Sequence, residues 1–242
     1  MISADLELEQ DRSRDSQDTE EHWIAVSDLM SGLMMVFLLI AIMYLVILDR
    51  KNQEIQEVAI LYEDLREALY EDLSAEFSAD MARWGSELSP DLQFRFTNID
   101  LLFEEGQSDL KLQFASILED FFPRYLRILG SEKYREDISE IRIEGHTSSS
   151  WNDARNSDEA YLRNMELSQE RTRSTLGYLL ELPAVADEKT WLRDHLTANG
   201  LSSSKLIFTE DGVEDPERSR RVEFIVRTDA EARMATILKD LR

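Results

Sequence analysis

Residues 24–48 form one apolar run that carries a single acid, Asp28, near its start. At about 1.5 Å per residue such a run makes a helix of roughly 37 Å, enough to cross a hydrocarbon core of about 30 Å with some tilt. The chain therefore reads as a single-span membrane protein. Trp23 and Tyr44 stand where interfacial anchors belong, and Asp49, Arg50 and Lys51 close the run. A carboxylate within a membrane helix costs about 2.5–3.5 kcal/mol near the bilayer centre and less toward an interface, so it needs a reason to be there.

The rest of the chain is strongly acidic. Fifty Asp plus Glu face 27 Lys plus Arg, a formal charge of −23 over 242 residues. Phosphate binding needs basic clusters, and with none present nucleic acid is not an expected partner. There are no cysteines, which removes disulfides, thiolate catalysis and cysteine metal sites. Three histidines (His22, His146 and His195) without metal-ligand spacing make a metal site unexpected, and no motif calls for a cofactor. A phosphate loop, a nucleophile elbow and a carboxylate pair fixed by spacing are all missing, so the expectation is a protein that is not an enzyme.

In chain order, residues 1–22 are an acidic tail, read as disordered or loosely helical, and lack the parts of a secretory signal. Residues 23–48 are the transmembrane helix. Residues 49–90 form a helical stalk or linker, because Ile55, Val58, Tyr62, Leu65, Leu69, Leu73, Phe77, Met81, Trp84 and Leu88 recur at helical spacing. That stripe can pack on the chain's own domain or pair two copies, and both readings stand. Ser89-Pro90 is expected to end the helix. Residues 91–228 alternate strand-like and helix-like pieces. Strands are expected over 93–98, 99–103, 138–144, 205–209 and 221–228, with helices over 109–129, 158–182 (capped by Ser157) and 190–199. Helices laid on one face of a small sheet make an α+β sandwich. Residues 229–242 look like a terminal helix or tail.

Asp28 shares a helix face with Ser31 and Gly32, and Ser27 lies beside it; small residues let neighbouring membrane helices approach closely. An interfacial acid that merely reaches the headgroups is one reading. A carboxylate that alternates between protonated and ionised inside a helix bundle is the other. The string from Trp23 to Leu39, with its aspartate, methionines and Phe37, closely resembles the single transmembrane helix of MotB-type stator subunits. That resemblance implies that Asp28 carries the proton, that Ser27, Ser31 and Gly32 serve helix packing, and that a homodimer sits inside a ring of a MotA-like multi-span partner. It also implies a bacterial inner-membrane location with a cytoplasmic N-terminus and a periplasmic C-terminal domain. The charge bias alone points the other way, since the basic residues follow the span.

A second, independent resemblance covers roughly residues 99–228. Ile143-Glu144-Gly145-His146-Thr147, then Asn164-x-x-Leu167-Ser168-x-x-Arg171, then Arg220-Arg221-Val222-Glu223 are similar to the ordered signatures of OmpA-like peptidoglycan-binding domains. The resemblance implies an OmpA-like α/β sandwich that binds peptidoglycan through Arg171, Asn164, Leu167, Ser168, Thr147 and Arg221. Arg171 would pair with the carboxylate of diaminopimelate, a task suited to the planar guanidinium fork. Where that family continues with an aspartate for the ligand's ammonium, this chain has Ser148, which leaves Asp153 or Asp158 as replacements.

Among stator-like families the plan most resembles ZorB-type subunits of Zorya anti-phage systems, whose partner is the MotA-like ZorA. A flagellar-type stator subunit and a passive cell-wall tether without ion transport remain alternatives at this point.

Overall fold

The computed structural model describes residues 2–104 and 106–229. The expected terminal helix over 230–242 lies outside them. The chain divides into two units, Met1–Glu57 and Val58–Arg242. Helix α1 (Ile2–Trp84) contributes to both.

In the first unit the apolar side chains stand exposed around the helix, among them Leu29, Met34, Phe37 and Leu45. An 18-residue window here reaches a mean hydropathy of 2.7 with none of it buried, so this helix is long and apolar enough to cross a membrane. Such an all-round apolar surface suits lipid or other membrane helices.

The second unit is a five-stranded sheet in the order β1-β2-β5-β3-β4, formed by β1 (Ser86–Leu88), β2 (Gln93–Phe96), β3 (Ile138–His146), β4 (Leu196–Gly200) and β5 (Arg221–Thr228). Among the described residues only the β3–β4 pair is parallel. Between the strands run α2 (Ile99–Leu102), α3 (Leu112–Leu129), α4 (Ser157–Glu181), a 3-10 turn (Pro183–Glu188), α5 (Lys189–His195) and α6 (Pro216–Ser219). Alternation sends Phe94, Phe96, Ile141, Ile143, Val222, Phe224 and Val226 to the helix-covered face. Charged residues, including Glu144 and Glu223, take the other. This is the expected α+β sandwich.

Phe121 of α3 is the hub of the core. Its ring lies 4.6 Å from that of Phe94, 5.2 Å from Phe77 and 5.2 Å from Phe224, which joins α1, α3 and two strands in one aromatic cluster. The amphipathic part of α1 thus belongs to this domain: Leu69, Leu73, Phe77 and Trp84 are buried in it. Of the two readings of the stripe, packing on its own domain describes this segment, and the domain begins well before residue 91. Polar contacts hold the same segment. Arg124 donates to Glu76 at 2.7 Å and to Asp80 at 2.9 Å while lying over the Phe77 ring, and the Tyr134 hydroxyl donates to Asp72 at 2.6 Å.

Several boundaries differ from expectation, each for a local reason. Helix α1 stops at Trp84 instead of running to Ser89-Pro90, because Gly85 adopts a left-handed φ of 60° and turns the chain into β1. Residues 99–102 form a turn of helix, not a strand, with Leu101 N donating to Asn98 O at 3.0 Å. The stretch read as one helix over 190–199 ends at His195. Leu196 and Ala198 then pair with β3, so sheet contact overrides the helical pattern. No strand forms over 205–209 beyond a single bridge between Phe208 and Glu214. The cap of α4 is Asn156, whose side chain accepts from Glu159 N at 2.8 Å, not Ser157.

Two outcomes follow. A fragment of residues 91–242, lacking Phe77, Trp84 and β1, fails to show a cooperative thermal transition, whereas 58–242 shows one; in the latter Phe77→Ala lowers stability by about 3–5 kcal/mol in urea titrations. The Tyr134 hydroxyl and then the Lys133 ammonium hold the Asp72 carboxyl below its usual range. A depressed native value gives stability that is fully present above the unfolded value of about 3.9 and is lost as pH falls through the native one. The gap in urea midpoint between the wild type and Asp72→Asn therefore exists at pH 7 and closes as pH falls below the unfolded value.

Candidate functional site

Helix α4 lies on the sheet closely enough that two positions below it must be glycine. A Cβ on Gly200 would stand 2.2 Å from Gln169 N, and one on Gly145 would stand 2.7 Å from Thr172 Cγ2. This approach brings Asn164, Leu167, Ser168 and Arg171 to the loop that follows β3. Asn164 Nδ2 donates to Ser148 O and Ser150 O, both at 3.1 Å, and so shapes that loop. Ser168 Oγ donates to Met165 O and accepts from Ser202 N at 3.0 Å. Ser202 O in turn accepts from Thr147 N at 2.9 Å. Asn164 and Ser168 are therefore builders of the site.

Together these elements enclose a cleft of about 420 Å³ lined by Thr147, Leu167, Arg171, Arg220, Trp151 and Asp153, among others. Arg171 sits at its base with 6% of its surface exposed. Its Nε donates to Gln107 O at 2.8 Å and Nη2 to Glu104 O at 3.2 Å, and the guanidinium lies 4.8 Å from the Phe103 ring centroid. Burial first, and then the neighbouring Arg220, push its pKa down to about 10, which leaves it cationic at pH 7. No carboxylate among the described residues pairs with Arg171 or Arg220. Arg220 Nε and Thr147 Oγ1 are buried with no hydrogen-bond partner among those residues. A buried cation and orphaned polar atoms cost folding energy unless something satisfies them.

One expected residue is displaced by a single position. Arg221 is outside the cleft, where its Nε meets Glu223 at 2.5 Å and Nη1 donates to Ser219 O and Lys205 O. The reason is register. Arg221 pairs with His146 and Glu223 with Glu144 on the face away from the helices, so Arg220, just before the strand, is the arginine that reaches the cleft. Extending the alternation of Val222, Phe224 and Val226 back by one residue would have found this. Of the acids considered as replacements, Asp153 lines the cleft, in a left-handed conformation with φ 63°, and Asp158 does not. Trp151, Phe103 and the carbonyls of Glu104 and Gln107 carry no signature in the sequence.

Glu144, His146 and Glu223 each bring a ligand-type atom within 4.8 Å of one another. Arg142 and the pair Arg95 and Arg221 occupy the outer oxygens of these carboxylates, and their charges oppose a dication. The trio reads as a buried ionic network on the outer sheet face.

In the first unit Asp28, Ser27, Ser31 and Gly32 are exposed. Ser31 Oγ donates to Ser27 O at 2.8 Å, which spares the hydroxyl from facing lipid unpaired, and nothing lies within 4 Å of where a Gly32 Cβ would stand. The face is shallow and open to a neighbouring helix.

Over 221 residues the chain is 44% identical to the Zorya protein ZorB of Escherichia coli, an alignment that takes in 91% of this chain and 93% of that one. The chain belongs to the ZorB family. No protein-family model matches it. Among solved structures, a MotB-like protein from Desulfovibrio vulgaris is 22% identical, with 69% of this chain and 96% of that one covered at a TM-score of 0.46. The cell wall anchor of the type VI secretion system from Pseudomonas aeruginosa is 20% identical, with 64% and 96% covered at a TM-score of 0.44. These are partial overlaps, and membership of the ZorB family rests on the E. coli relative.

The tight contact at Gly200 has a testable price in stability. Gly200→Ala must lift α4 or bend β4, and the expected loss is about 1–3 kcal/mol in chemical denaturation. Gly177→Ala, where a Cβ meets nothing within 4 Å, leaves the midpoint unchanged or slightly raised.

Proposed function

We propose that this ZorB-family chain is the wall-anchored, ion-carrying subunit of an inner-membrane motor that serves anti-phage defence. In this reading the helix over 23–48 spans the membrane with the N-terminus in the cytoplasm. Two copies stand inside a ring of a ZorA-like multi-span partner, and Asp28 takes up and releases the proton that passes between them. The periplasmic domain grips peptidoglycan by the cleft at Arg171. Each charge crossing about 100 mV releases about 2.3 kcal/mol, and a motor does work with it only if something holds it still.

The observation that carries the reading is the buried Arg171 guanidinium, which opens onto a cleft and has no carboxylate partner among the described residues. A stem-peptide carboxylate supplies the missing charge, and backbone carbonyls already orient the fork to receive it. Family membership and the small-residue face around Asp28 support the membrane half.

Asp28→Asn keeps size and hydrogen bonding and removes the titrating charge. Expressed with its membrane partner, this variant is expected to lose phage protection completely while its level and its sedimentation with peptidoglycan sacculi stay at wild-type values. Full protection by the variant would reduce the protein to a passive tether.

A further inference from the structure

Trp151 stands in the loop that follows β3 and lines the cleft, half-buried. Among the described residues its indole makes no hydrogen bond and meets no ring or cation, whereas the ring of Trp84 lies 5.9 Å from that of Phe77 and Trp191 stacks on His195 at 4.5 Å. The loop holds Trp151 from both sides. Before it, Asn164 Nδ2 pins the carbonyls of Ser148 and Ser150, and Ser149 N donates to Glu214 Oε1 at 2.9 Å. After it, Asp153 takes its left-handed φ of 63° and Arg155 N donates to Glu159 Oε2 at 3.0 Å. A non-glycine residue in that region costs conformational energy, which the contacts around it must offset. An open indole on such a support is a preformed surface for a ligand.

The chemistry around Trp151 differs from that at Arg171. Ser148, Ser150, Asn152 and Asn164 supply hydroxyls and amides to the lining, with Ser150 and Asn152 at the exposed rim. A flat apolar ring beside neutral donors and acceptors fits a sugar, which turns C–H groups to one face and hydroxyls to its edge. Reach agrees with this. In peptidoglycan the stem peptide is joined to an N-acetylated sugar, and two residues separate that junction from diaminopimelate, a span on the order of 10 Å when extended. We propose that Trp151 is a sugar-binding residue: the peptide-bearing sugar of the wall glycan stacks on its indole, and Ser150 and Asn152 take the hydroxyls and the acetamido group. This rests on the reading of the cleft as a stem-peptide site and adds the glycan to what the cleft recognises.

The test is calorimetric titration of the full-length protein, in a detergent without a sugar headgroup, with two synthetic probes. One is the bare stem tripeptide ending in diaminopimelate, and the other is the same tripeptide carried on the N-acetylglucosamine–N-acetylmuramic acid disaccharide. The wild type is expected to bind the disaccharide peptide about 10-fold more tightly than the bare one. Trp151→Ala is expected to bring that ratio close to one, and Trp151→Phe, which keeps a flat ring, to retain most of it. Both affinities are read on the same protein, so a fraction of misfolded variant lowers the apparent stoichiometry and not the ratio. Equal affinity of the wild type for the two probes overturns the proposal and leaves the peptide site standing. An unchanged ratio in Trp151→Ala also overturns it, since a loss shared by both probes would assign the indole to the peptide. No binding of either probe by the wild type overturns the stem-peptide reading itself.

Discussion

The cleft depends on how closely α4 can approach the sheet. Gly145 and Gly200 are two places where the sheet gives way: the backbone of α4 at Ser168 and Gln169 comes down onto Gly200, and Ser168 O and the Thr172 methyl come down onto Gly145. The Ser168 hydroxyl and the Asn164 amide then tie the helix to the adjoining loops. With the helix at that depth, Arg171 is too far inside to reach solvent freely, and no carboxylate among the described residues pairs with it. Its carbonyl partners satisfy the geometry of the guanidinium without cancelling its charge. Packing thus leaves a buried cation with no carboxylate partner among the described residues, the feature on which the proposed anion site rests.

The other organising element is the aromatic cluster around Phe121, which makes the last turns of α1 a structural part of the domain. Leu69, Leu73, Phe77 and Trp84 are core residues in the same sense as Phe94 and Phe224. Arg124 adds ion pairs to Glu76 and Asp80 across the same contact. The acidic composition of the chain is used here, because the carboxylates of α1 meet the basic side chains of α3 and of the loop after it.

The membrane run, the sandwich class and part of the cleft were legible in the sequence. Thr147, Asn164, Leu167 and Arg171 lie in ordered motifs, and a helix displays the last three on one face by its period. Three things were hidden. Periodicity cannot say whether an amphipathic stripe meets its own domain or a second copy, so the boundary at residue 91 fell inside the core. Leu-Thr-Ala-Asn reads equally well as helix, and only the partner strand β3 makes it β4. Arg221 and Arg220 differ by one residue, and in a strand that difference is a change of face. Trp151 and the carbonyls that hold Arg171 come from loops, where spacing carries no period to read.

In the proposed function a buried guanidinium, Arg171, with no carboxylate partner among the described residues, holds this protein to the cell wall. The most direct measurement is co-sedimentation of the full-length protein in detergent with purified peptidoglycan sacculi, wild type against Arg171→Ala, at matched thermal stability. Pelleting of the wild type with most of the variant left in the supernatant is the predicted result. Equal pelleting of the two would contradict the account.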